Sequence, residues 1–469
     1  MPATDPGQSS QRIGKPSRGL AALAPQAAVA VVAAVALEAL FAAMARLGDL
    51  KLHATQTIGL GLAAGAVYVS ALYALEHTRE SRAALWVILV GALLFRLTLA
   101  PLPPSLSSDL HRYRWDGRVQ NAGWNPYVVE PRDLRLEPLR DAGWAEMPGP
   151  ETPTMYPPLS ELIFRWTGRV LPGPVGFKLP FLAADILVVA MLAGWLGPTR
   201  GRNFRLAVYA WSPLVIVEFA GSSHNDSIPI AAVVAALWII SRRPVVSTLT
   251  LTAGALAKLF PATLLPLAAV AAGWPGKLRG WLAVAGGIGI TAACLWPYRS
   301  AFQAFPSIFA HYQSTWQNYN ASLYSVLLWL TGQQAVATGI GEGAVAGLAL
   351  WCAARKVEPA RAAFLIIGAI LMVAPNGYSW YFTWIVPLLC FFPNPAWLLV
   401  TVLQFLSYKV LIDYQILDVW HFDPFFQWLT YAPFYALLIA GAAWTRRGAT
   451  SGASADTGVH AGAEAPSAG

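Results

Sequence analysis

One polar stretch concentrates side chains that could do chemistry: Ser107-Ser108-Asp109-Leu110-His111-Arg112-Tyr113-Arg114-Trp115-Asp116-Gly117-Arg118-Val119-Gln120. Its spacing predicts a helix, with Ser108 as N-cap and Asp109 in the first turn, where the helix dipole favours an anion. At 3.6 residues per turn, Asp109, Arg112, Tyr113 and Asp116 share one face. Gly123 is placed to end the helix, and Asn125-Pro126-Tyr127 to begin a turn. A carboxylate on such a face can take a proton from an attacking hydroxyl, and a guanidinium can hold a phosphate. The plainer reading is a surface helix held by Arg–Asp pairs.

A second group tips the balance towards chemistry. Glu218 stands near the end of an apolar run and is followed by Ser222-Ser223-His224-Asn225-Asp226. Lys258 interrupts the apolar run Ala253–Leu267. An ionisable residue embedded in a membrane run is costly and suggests function. A polar loop for the first and snorkelling for the second are the bland alternatives. Tyr156-Pro157-Pro158-Leu159 introduces an amphipathic segment, 159–171, suited to lie along a membrane surface. Together, the carboxylates, cations and aromatics suit an anionic lipid head group that carries a polar substrate.

The elements that must position these groups are membrane helices. The chain of 469 residues is 56% hydrophobic and 12% charged, with mean hydropathy +0.49; its charge is about half that of a soluble domain. Apolar runs lie near 21–46, 57–75, 83–101, 176–197, 206–221, 227–241, 245–258, 260–273, 280–297, 335–354, 361–375, 379–393, 396–412 and 425–445. They give about 12–14 membrane crossings of an all-α integral membrane bundle. The weakest pair flanks Phe260-Pro261 and could equally form one re-entrant hairpin.

With the N-terminus inside, the clusters Arg79/Arg82, Arg200/Arg202/Arg205, Arg242/Arg243, Lys277/Arg279, Arg355/Lys356/Arg361 and Arg446/Arg447 all fall on the cytoplasmic side. Residues 102–175 then form a large extracytoplasmic loop, with 222–226 beside it. The tails 1–18 and 448–469, rich in small and polar residues, read as disordered and cytoplasmic, which leaves 19–447 as the membrane domain. Net charge +8 arises from these scattered loop clusters, so no nucleic-acid partner is expected. Cys294, Cys352 and Cys390 lack metal-ligand spacing.

Asp109-x-x-Arg112-Tyr113-x-Trp115-Asp116-Gly117-Arg118, then Gly123-x-Asn125-Pro126-Tyr127 and Tyr156-Pro157-Pro158-Leu159, resembles the outer loop of GT-C superfamily glycosyltransferases. The resemblance is strongest to bacterial polyprenyl-phosphate-mannose-dependent mannosyltransferases. It continues through Trp211-x-Pro213-Leu214 with Glu218, Gly221-x-x-His224-Asn225-Asp226 and Lys258-x-x-Pro261, with weaker aromatic echoes at Trp380-Tyr381 and Trp384.

The resemblance implies an enzyme of the bacterial inner membrane that moves a hexose, with mannose as first expectation, from a polyprenyl-phosphate donor to a glycan or glycolipid acceptor. Transfer would occur on the extracytoplasmic face with inversion, and Asp109 matches the family's general base. The substrate-binding set it implies is Arg112, Tyr113, Asp116, Asn125, Tyr127, Tyr156, Glu218, His224, Asn225, Asp226 and Lys258. Lys258 is the main phosphate candidate, helped by Arg112 and His224. Two departures stand out. Many relatives pair their acids, whereas here the next acid after Asp109 is Asp116, so no metal or other cofactor is expected; and the loop follows the third apolar run rather than the first. Alternatives are a polysaccharide ligase or polymerase, or a lipid-linked-sugar transporter or flippase.

Overall fold

Lipid offers no partner for an unpaired backbone N–H or C=O, so apolar runs must satisfy their own hydrogen bonds as helices. The computed structural model describes residues 24–314, 318–417, 420 and 422–456, which form helices and turns with no β-strand among the described residues. Nine helical segments there are long and apolar enough to cross a membrane. They are Pro25–Leu47 (α1), Ala54–Glu76 (α2), Arg82–Leu99 (α3), Pro174–Leu196, Arg202–Gly221, Leu278–Ala301, Gln334–Ala354, Pro395–Ile416 and Pro424–Ala443. Shorter apolar helices span Ser227–Ile239, Pro244–Ala257, Phe260–Ala272 and Pro359–Val373. With the broken element Ser379–Leu389, they account for each apolar run read from the sequence. The chain is an all-α integral membrane protein.

Around the polar stretches the helices are Asp109–Asn121 (α4), Pro158–Val170 (α5), Pro174–Leu196 (α6), Arg202–Ala210 (α7), Ser227–Ile239 (α8) and Pro244–Ala257 (α9). Side-chain caps tie together the two ends of the bundle. At one end Gln26 donates to the carbonyl of Leu75 (2.9 Å), and Asn203 donates to Gln26 (2.8 Å) and to the Ser81 carbonyl (2.9 Å). Arg79, Arg82, Arg202 and Arg205 therefore share that end. At the other, Ser105 Oγ accepts from Leu50 N–H (2.9 Å) and Lys178 Nζ donates to the carbonyls of Leu102 (2.6 Å) and Gly221 (2.7 Å). The polar groups singled out in the sequence gather at this second end.

Two of the shorter apolar helices lead to the polar groups. At 1.5 Å per residue, α8 and α9 are each about 20 Å long, against a hydrocarbon core of about 30 Å. Arg242 and Arg243 sit in the turn between them, so their far ends, at Asp226 and Lys258, lie together. α5 packs against the far end of α9, where Ser160 Oγ donates to its last carbonyl, at Ala257 (2.7 Å). Lys258 adopts an extended conformation (φ −157°, ψ 142°) that ends α9 before a 3₁₀ turn, Phe260–Leu264, leads away.

Local chemistry shapes α4 and α5. Ser108 makes no side-chain cap; Ser107 Oγ instead accepts from Asp109 N–H (3.3 Å), because Ser108 itself has the wrong backbone conformation (φ −86°, ψ 1°). The other end follows the expected glycine stop: Gly123 has φ +89°, its N–H bonds the Gln120 carbonyl (3.0 Å), and Trp124 N–H reaches Val119 (3.1 Å), a Schellman closure. Gly117 lets α4 touch α5, since a Cβ there would lie 2.3 Å from the Phe164 carbonyl oxygen. Pro158 occupies the first turn of α5, where its missing N–H does no harm.

Deeper down, Arg96 of α3 makes a bidentate pair with Asp185 of α6 (2.6 and 3.1 Å), and both are fully buried. Tyr209 and the carbonyls of Ala92 and Ala210 satisfy the remaining polar atoms, the condition under which such a pair is tolerated. The last helix runs on to Asp456, past the start of the stretch read from sequence as a C-terminal tail. Residues 1–18 and 457–469 lie outside the described residues.

Candidate active site

The span begun by α7 does not end as a regular helix. Val217–Gly221 winds as a π-turn, with Ser222 N–H bonded to the Val217 carbonyl (2.9 Å), and Ser223 then takes φ +67°. Wide turns and left-handed non-glycine residues are strained and recur at functional sites. Lys178 of α6 steadies this one, capping the Gly221 carbonyl and reaching that of Ala220 (3.3 Å). The winding presents Glu218, His224, Asn225 and Asp226 to the α4 layer.

Asp109 faces His224, with Oδ2 3.8 Å from Nε2. On the other side of the ring, Nδ1 lies 3.0 Å from Glu218 Oε2, in ion-pair contact although the angle falls short of a hydrogen bond. Tyr408 donates to Glu218 Oε1 (2.5 Å), and Trp380 stacks on the imidazole at 4.2 Å. Tyr113 OH reaches Asp109 Oδ2 (3.5 Å) and Asn225 Oδ1 (3.3 Å), while Asn225 donates to Ser160 Oγ (3.1 Å). Beside them, Asp226 accepts from Lys258 Nζ (2.6 Å) and from Trp384 Nε1 (2.6 Å). Lys258 also lies 5.4 Å from the centre of the Tyr381 ring. Glu218, His224 and Asp226 are fully buried, whereas the Asp109 side chain is 24% exposed and that of Lys258 18%.

The remaining expected site residues form a second, closed cluster. Arg112 Nε binds Asp116 through both oxygens (3.0 and 2.9 Å), and its other nitrogens donate to the carbonyls of Gly149 (3.0 Å) and Thr152 (3.2 Å). Glu161 of α5 accepts from Gln120 (2.7 Å) and Thr154 (2.6 Å). Tyr127 donates to the Tyr156 carbonyl (2.5 Å) and packs edge-on against Tyr298. Asn125 shapes its own turn, accepting from Tyr127 N–H (3.1 Å), and donates to Ser300 (2.9 Å). The Tyr156 ring meets Tyr113 edge-on. The structure thus brings Asp109, Tyr113, Glu218, His224, Asn225, Asp226 and Lys258 together, and sets Arg112, Asp116, Asn125 and Tyr127 into the scaffold beside them, with Tyr156 between.

Proton affinities separate the two clusters. Burial works to lower that of His224, but the contact with Glu218 and the charges of Asp109 and Asp226 outweigh it, so its pKa rises above the ordinary histidine value. In the closed cluster, burial, followed by the charge of Asp116, raises Glu161 well above the ordinary carboxylate value. Asp116 rises as well through burial, held back by Arg112. No three His, Cys, Asp or Glu side chains converge as a metal ligand set among the described residues.

Trp380, Trp384, Tyr408, Ser160 and Glu161 were not among the residues expected at the site. The first two had a weak signal in the sequence as aromatic echoes; Tyr408, 190 positions from Glu218, had none. The family model for alpha-(1->6)-mannopyranosyltransferase, N-terminal domain, matches residues 16–274, more than half of the chain. That range holds every expected site residue but stops short of Trp380, Trp384 and Tyr408. No curated protein and no solved structure matches the chain significantly.

Proposed function

The chain belongs to the alpha-(1->6)-mannopyranosyltransferase family, and from that premise we propose how this multi-pass membrane mannosyltransferase works. The donor is a polyprenyl-phosphate-linked mannose and the acceptor a hydroxyl of an envelope glycan or glycolipid. The fold is a GT-C-like bundle in the bacterial inner membrane. The end rich in arginine and lysine faces the cytoplasm, and Asp109 and Lys258, at the other end, face the extracytoplasmic side.

The observation that carries this reading is the partial exposure of Asp109. In the Asp109–Glu218–Asp226 set it alone keeps an open face; the other two are buried, Glu218 against Tyr408 and Asp226 against Lys258 and Trp384. Asp109 takes the proton as the acceptor oxygen attacks the anomeric carbon. The bond from that carbon to the phosphate oxygen breaks, and its electron pair leaves with the lipid phosphate. Lys258, partly exposed where α9 ends, receives the phosphate charge. Attack opposite the leaving group inverts the anomeric centre.

The test uses full-length protein in detergent with octyl α-mannoside as acceptor. Mannose transfer from synthetic polyprenyl-phosphate-mannose, but not from a nucleotide-linked mannose, is the expected result. Transfer from the nucleotide donor alone would overturn the proposal.

A further inference from the structure

His224 is enclosed by charge on every polar side. Its side chain is 0% exposed, and neither ring nitrogen has a hydrogen-bond partner among the described residues. Asp109 faces it from α4 at 3.8 Å, and Glu218 from the π-turn at 3.0 Å. Asp226 acts on it from its own turn, with Lys258 Nζ on one carboxylate oxygen. Behind these, Tyr113 touches Asp109 and Tyr408 holds Glu218. Trp380 covers a face of the ring and fixes its plane.

Asp109 and Glu218 lie on either side of the His224 ring, at 3.8 and 3.0 Å, and two carboxylates so placed repel one another. A cation between Asp109 and Glu218 removes the conflict. We propose that His224 is a positioning residue: held as an imidazolium by Glu218 and Tyr408, it keeps Asp109 ionised and aimed at the acceptor hydroxyl. This rests on the reading of Asp109 as the base. In the transfer step the acceptor proton goes to Asp109, and His224 keeps its own. Its place behind Asp109, enclosed against Glu218 and Trp380, sets it apart from the donor phosphate, for which the sequence had made it a helper.

The experiment is the pH profile of kcat/KM for full-length His224→Gln, with synthetic polyprenyl-phosphate-mannose and octyl α-mannoside. Without the imidazolium, the acid limb moves to higher pH by roughly one to three units, the range an opposite charge at this distance commands. Activity therefore falls on the acid side of the profile and recovers as pH rises. Glu218→Gln, which removes the charge that keeps His224 protonated, moves the limb in the same direction and carries the test should His224→Gln not fold. Tyr408→Phe moves it less. A profile parallel to wild type, lowered at every pH, would mean a merely structural role and overturn the inference. So would an unmoved limb with a raised donor KM, the mark of a phosphate ligand. Asp109→Asn is measured alongside: if it keeps more than about a tenth of the rate, the base assignment falls, whereas if it is inactive and the His224→Gln limb stays put, only the role of His224 falls.

Discussion

Two positions on α4 carry the same residue type in opposite circumstances. Asp109, in the first turn, is 24% exposed and faces a histidine and a tyrosine hydroxyl; Asp116, two turns on, is 2% exposed and clamped by Arg112, with Glu161 beside it. Helical periodicity places both on one face, yet the neighbouring elements divide that face. His224, just past the π-turn, meets the start of the helix, while the 149–161 segment closes over its middle. A carboxylate that must exchange a proton with a substrate needs an open side and a steady charge, and only Asp109 has the open side. A carboxylate that must hold a loop against a helix needs burial and a partner, which is the situation of Asp116.

The comparison breaks most visibly at Asp116. Asp116→Ala leaves the Arg112 guanidinium buried without its carboxylate, a change that costs about 3–5 kcal/mol. Melting in detergent should show a large loss of stability. If melting is unchanged and the rate collapses, Asp116 belongs to the chemistry and the division of α4 is wrong.

The same contrast extends to the cations. Arg112 is committed to Asp116 and two carbonyls, whereas Lys258 makes one carboxylate contact and keeps part of its side chain open. Lys258→Ala should raise the donor KM roughly tenfold, the equivalent of a hydrogen bond to a charged group at about 1.4 kcal/mol, with a smaller effect on kcat. Unchanged donor kinetics in folded Lys258→Ala protein would remove it from the phosphate site.

The smallest effect is expected at Glu161. Its folded-state proton affinity is raised above the ordinary value of 4.5, so the folded protein binds this proton more tightly than the unfolded chain does. The resulting stability is present below that value and is lost as pH rises through the folded one. Glu161→Gln, which mimics the protonated acid, should flatten the fall of melting temperature on that side without lowering it at neutral pH. A steeper fall would show that Glu161 is ionised in the folded state.

What was legible in the sequence follows from the range of each interaction. Apolar runs report their own helices, and the Gly123 stop and the Pro158 start are local, so the bundle, α4 and α5 could be read directly. Lys258 stood out because a charge in an apolar run is conspicuous wherever it ends up. The division of α4 was not legible, because the groups that produce it, His224 and Glu161, come from other elements. Trp384, 158 positions from Asp226, was one aromatic among many that membrane interfaces enrich. Arg96 and Asp185 are 89 positions apart, each a lone charge in its own apolar run, and only the packing of α3 against α6 makes them a pair. Ser108 shows a local expectation failing on geometry: the right residue type stands one position after the serine that contacts the Asp109 N–H.

The central claim is that chemistry resides at Asp109 and structure at Asp116, and the most direct measurement sets the two asparagine variants side by side. In full-length protein with synthetic polyprenyl-phosphate-mannose, kcat and melting temperature are measured for Asp109→Asn and Asp116→Asn. The account predicts that Asp109→Asn loses about a hundred- to ten-thousand-fold in kcat and melts like wild type, while Asp116→Asn melts lower and keeps most of its rate per folded molecule. An Asp109→Asn enzyme with more than about a tenth of wild-type kcat, or an Asp116→Asn enzyme that melts normally but no longer turns over, would contradict it.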